Sequence, residues 1–77
     1  MKEELQFRTN KVREYFISIG IKSYMPLFCY ANLTIRNDEL LQTKIGRVMS
    51  GRINSTDGPV VDEIEKAVDH LKEHGYK

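Results

Sequence analysis

Residues 41–52 read Leu41-Gln42-Thr43-Lys44-Ile45-Gly46-Arg47-Val48-Met49-Ser50-Gly51-Arg52, and the spacing of their apolar members decides the class of fold. Leu41, Ile45, Val48 and Met49 stand at i, i+4, i+7 and i+8, which is one face of an α-helix and not the two-residue alternation of a strand. Gly51 supplies the stop. Asn37 or Asp38 supplies the start, as a side chain able to accept from an early amide.

The same period runs outward in both directions. Upstream, Val12, Tyr15, Phe16 and Ile19 form the stripe of a first helix from about Lys2 to Ile19, ended by Gly20, with Ile21 folding back on its last turn. Ser23 is placed to cap a short second helix that carries Pro26 in its first turn, where the missing donor is not needed. Leu27, Phe28, Tyr30, Ala31 and Leu33 make that helix almost wholly apolar, so it is expected to be the most buried element. No glycine or proline punctuates residues 32–37. Downstream, Asn54-Ser55-Thr56-Asp57-Gly58 is a turn, Pro59 opens a last helix, and Val61, Ile64, Val68 and Leu71 carry its seam to Gly75. The expected architecture is therefore all-α: one compact four-helix domain over residues 1–77.

With 77 residues, 40% of them hydrophobic and 30% charged, the chain suits a small globular domain with a thin margin of stability. Met1-Lys2-Glu3-Glu4 has charge where a secretory signal needs its apolar run, and no later stretch is long and apolar enough to cross a bilayer. A cytoplasmic setting without membrane partners is expected. The lone Cys29, among Leu27, Phe28 and Tyr30, reads as a small buried side chain and not as a nucleophile. No phosphate-binding glycine loop, paired acid and base, or Ser-His-Asp set can be assembled, so neither enzyme activity, a small-molecule substrate nor a cofactor is expected. His70 and His74 stand i, i+4 without an obvious third ligand, which favours solvated residues of a last helical turn over a metal site.

Net charge is only +1, yet it is unevenly spread. Residues 1–52 hold nine Lys/Arg against five Asp/Glu, for +4, and residues 53–77 hold three against six, for −3. A basic working face backed by an acidic one has this signature. With Leu41, Ile45 and Val48 turned inward, Glu39, Thr43, Gly46, Arg47 and Ser50 face outward and Lys44 lies on the flank. Glycine inside an exposed helix costs ~1 kcal/mol relative to alanine, so Gly46 suggests a close approach to the helix backbone. Small residues beside Thr43, Lys44 and Arg47 suit a helix lying in the major groove of DNA, with arginine reading guanine and the others touching phosphate. Asp38 and Glu39 at the start of that helix would repel phosphate unless they cap it or accept from cytosine. Arg8, Lys11 and Arg13 of the first helix add candidate phosphate contacts.

The run from Lys44 to Arg52, the turn containing Pro59, and Val61, Ile64, Ala67 and Val68 resemble the second half of phage-repressor-type (Xre-like) helix-turn-helix domains. The likeness spans residues 41–71. It implies a helix-turn-helix core over about residues 23–52, a final core helix over about 59–74, and Thr43, Lys44, Gly46 and Arg47 at or beside base-contacting positions. Arg52 becomes a phosphate contact by the same likeness. It implies sequence-specific binding of double-stranded DNA by a small transcriptional or mobile-element regulator, acting as a homodimer on a two-fold site. The first half departs from the family pattern, because residues 32–37 lack its glycine-containing turn and are several residues too long. The alternative is a helical protein-interaction or dimerisation module using leftover apolar surface at Phe7, Leu40 and Tyr76.

Overall fold

In the computed structural model, which describes residues 2–75, five helices surround one core: α1 (Lys2–Ser18), α2 (Met25–Ala31), α3 (Leu33–Arg36), α4 (Glu39–Met49) and α5 (Gly58–Glu73). The described residues contain no strand, as the periodicity predicts, and no helix among them is long and apolar enough to cross a membrane. Tyr76 lies outside the described residues.

α5 is the hub. Its Val60, Val61, Ile64, Ala67, Val68 and Leu71 are all buried, and it packs against α1, α2 and α4. From α1 the core receives Leu5, Val12 and Phe16, from α4 Ile45, Val48 and Met49, and from the short segments Phe28 and Ile35. The ring of Phe28 meets that of Phe16 edge-on at 5.2 Å between centroids, and Tyr24 lies against both.

Both glycine stops form as expected. Gly20, at φ 74°, and Gly51, at φ 98°, are left-handed. Behind each, two amides return to the last carbonyls of the helix, Gly20 to Ile17 and Ile21 to Phe16, and Gly51 to Val48 and Arg52 to Arg47.

Three expectations are corrected. The structure has five helices in place of four, because residues 33–36 close a turn of their own. Asn32 makes this possible: its backbone is extended, its side-chain oxygen accepts from the Thr34 amide at 2.9 Å, and its amide nitrogen donates to Glu63 of α5. Second, α2 is not the most buried element. Phe28 alone is fully enclosed there, while Tyr30 and Leu33 remain exposed, since a helix this short lays only one edge on α5. Third, Ser23 does not cap α2. Tyr24 occupies that position without a side-chain cap, held by its aromatic neighbours. Cys29 is half-buried against the core.

Candidate nucleic-acid interface

The orientation of α4 follows from its two ends. At the start, the Asp38 carboxylate accepts from the Leu41 amide at 3.0 Å, which settles the cap between Asn37 and Asp38. Gln42 then reaches back, its side-chain nitrogen donating to the carbonyls of Ile35 and Arg36, and so joins the end of α3 to the first turn of α4. Ile45, Val48 and Met49 are drawn into the core. Glu39, Leu40, Thr43, Lys44 and Ser50 are left exposed on the other side.

Gly46 is half-buried at the margin of that side, with nothing within 4 Å of the place a β-carbon would take. Its φ is not in the left-handed region, so neither the backbone nor any neighbour within the chain requires glycine. Thr43 donates its hydroxyl hydrogen to the Glu39 carbonyl at 3.1 Å, and Ser50 donates to the Arg47 carbonyl at 2.7 Å. Both hydroxyls therefore turn acceptor lone pairs, not hydrogens, toward solvent.

The structure revises the role expected of Arg47. Its guanidinium forms a two-pronged pair with Asp57, Nη1 to Oδ2 at 2.8 Å and Nη2 to Oδ1 at 2.9 Å, and Nη1 also donates to the Arg52 carbonyl. Asp57 is buried at 4% exposure, whereas the Arg47 side chain keeps 30%. The Asp57 carboxylate further accepts from the Asn54 amide at 2.7 Å. Arg47 thus closes the 50–57 loop onto α4 in place of projecting a free fork. Its hydrogen bonds hold the Asp57 carboxyl below the usual range, against the opposing effect of burial, and the Arg47 guanidinium is correspondingly harder to deprotonate.

Lys44 and Arg52 remain exposed at opposite ends of the face. Lys44 borders a groove with Leu40, Pro59 and Glu63, and Arg52 makes one long contact from Nε to the Ser50 hydroxyl at 3.4 Å. A second recess at the other end of α4 places Arg13 and Lys22 beside Met49, Ile17 and Tyr24. Lys22 escaped the sequence reading, its only signal being a cation two residues past a glycine stop. Thr43 and Lys44 are thus exposed on α4 with Gly46 half-buried beside them, Arg52 is exposed just past the end of the helix, and Arg13 and Lys22 border the recess at Met49.

Arg8 is withdrawn from that set. Its guanidinium binds Glu65 and Asp62 of α5, joining α1 to α5 and raising its own pKa. Lys11 sits 5.0 Å over the ring of Phe7. The remaining outer surface of α5 is of mixed charge, with Lys66, Asp69, Lys72 and Glu73 exposed. His70 and His74 stack at 4.0 Å between ring centroids, with His74 Nδ1 at 2.9 Å from the His70 carbonyl oxygen, and no group of three metal-binding side chains occurs among the described residues. Compared with known protein families, curated proteins and solved structures, the chain matches none of them.

Proposed function

We propose that the chain binds double-stranded DNA by laying the outer face of α4 in the major groove, as a small regulator of transcription or of a mobile element. The observation that carries this reading is Gly46: a glycine in a helix interior, costing ~1 kcal/mol, for which no contact within the chain gives a reason. A close-approaching partner outside the chain gives one. Exposed Lys44, Arg52, Arg13 and Lys22 supply cations for phosphates. The likeness of residues 41–71 to phage-repressor-type domains points the same way. In this reading Thr43 and Gly46 lie against base edges, Lys44 and Arg52 hold phosphates, and Arg47 positions the loop that carries Arg52. The same likeness implies a homodimer on a two-fold operator, with half-sites ~34 Å apart.

Fluorescence anisotropy with a random-sequence duplex, titrated with salt, tests the proposal. Four phosphate contacts on each copy imply a slope of log K against log salt of about −3 to −4 for one bound copy and about twice that for a dimer, and Lys44→Ala or Arg52→Ala each reduces it by about 1 per copy. Absence of binding in dilute buffer, or binding indifferent to salt, contradicts it. The second reading, a helical protein-interaction module, is favoured by Tyr30 at 59% and Leu33 at 57% exposure, side by side across the α2–α3 junction. It predicts no response to duplex in the same titration.

A further inference from the structure

The hydrogen-bond inventory of the α4 face says which bases it suits, an inference that rests on the duplex-binding reading. Guanine presents two acceptors in the major groove, N7 and O6, and is recognised by a side chain with free donors. Along the middle of the face most such donors are engaged, the ammonium of Lys44 lying on the flank. Both terminal nitrogens of Arg47 are held by Asp57, and the hydroxyl hydrogens of Thr43 and Ser50 go to backbone carbonyls of their own helix. At the first turn, Asp38 uses its carboxylate as the cap, which separates its role from that of Glu39. Glu39 is exposed and beside it Leu40 is 66% exposed, with the methyl-bearing side chain of Thr43 one turn further on. What this end of α4 offers a groove is a carboxylate acceptor, an exposed acceptor hydroxyl and apolar surface.

Cytosine displays a donor, its N4 amino group, and thymine displays a C5-methyl group. We infer that the first two turns of α4 read pyrimidines on one strand, with Glu39 accepting from cytosine N4 and Leu40, with the Thr43 methyl, covering the C5-methyl of thymine. Lys44, at the edge of the face, is left to the phosphates. The carboxylate that would repel a phosphate backbone becomes a selective element, because only a base with an outward amino group compensates its desolvation.

The test is selection of duplexes from a random pool by the intact protein, followed by base analogues in the selected site. Cytosine and thymine are expected to recur on one strand of each half-site. Replacing the selected thymines by deoxyuridine, which removes only the methyl group, weakens binding about fourfold per methyl buried. Leu40→Ala removes that difference between thymine and uracil, and Glu39→Gln relaxes the preference for cytosine, both variants keeping the helical circular dichroism of the parent. Selected sites rich in guanine on both strands, retained duplexes with no common sequence, or full tolerance of uracil overturn this inference and leave duplex binding standing. Failure to retain any duplex at low salt overturns both.

Discussion

Gly46 and Arg47 are neighbours on α4 that matter to the fold in unequal measure. Gly46 makes no demand at all inside the chain, so Gly46→Ala is expected to stabilise it by ~1 kcal/mol, or about 4–8 °C in thermal midpoint for a domain of this size, while weakening duplex binding. A melting curve and a binding isotherm on the same sample check the split; a loss of stability would show that glycine is needed for the fold. Arg47 answers to the buried Asp57. The folded carboxyl of Asp57 titrates below its ordinary value of 3.8, with the Arg47 hydrogen bonds the largest cause. The stabilisation is therefore complete above about pH 4 and is lost as the pH falls through the lower, folded value. Urea midpoints across the acid range should fall more steeply for the parent than for Asp57→Asn, and identical acid limbs would refute the linkage. Helical periodicity puts Arg47 outside the buried seam of α4, where it is half-exposed. It is silent on Asp57, because a partner ten residues on is brought back by a loop whose path no local pattern encodes.

At the scale of elements, the stops and the apolar seams were legible, and the junctions were not. Gly20, Gly51 and Pro59 act through backbone conformation, a property of one residue, and each delimits a helix as its type dictates. α3 escaped the reading because it is a single turn made by Asn32 and closed by Gln42, seven residues beyond the carbonyl of Ile35 that it satisfies. Such a turn has no period to detect. The burial of α2 was overestimated because a run of apolar residues reports composition, whereas the area a neighbour covers depends on length, and seven residues present too little edge to bury them all. Asp38 holds the α3–α4 corner through the Leu41 amide, so Asp38→Ala is expected to cost ~1 kcal/mol in chemical denaturation. A neutral result would move the work of the corner to Gln42.

Charge is unevenly spread over the molecule as a whole. Of the cations in the +4 half, Lys44, Arg52, Arg13 and Lys22 are exposed, whereas in the −3 half α5 carries Asp62, Asp69 and Glu73 at its surface with Lys66 and Lys72 between them. The sequence separates the two signs, but it does not show that Arg8 is neutralised by Asp62 and Glu65, since those carboxylates lie more than fifty residues away. On the proposed function, the side of α4 that bears Thr43, Lys44 and Gly46 is the surface that meets a duplex. Amide chemical shifts of the labelled protein, followed as a short DNA duplex is added at low salt, test this at every residue at once. Shifts are expected at Thr43, Lys44, Gly46, Ser50 and Arg52, with smaller ones at Arg13 and Lys22 and none along Asp62, Asp69 and Glu73. Unchanged spectra, or shifts centred on Tyr30 and Leu33, would contradict it.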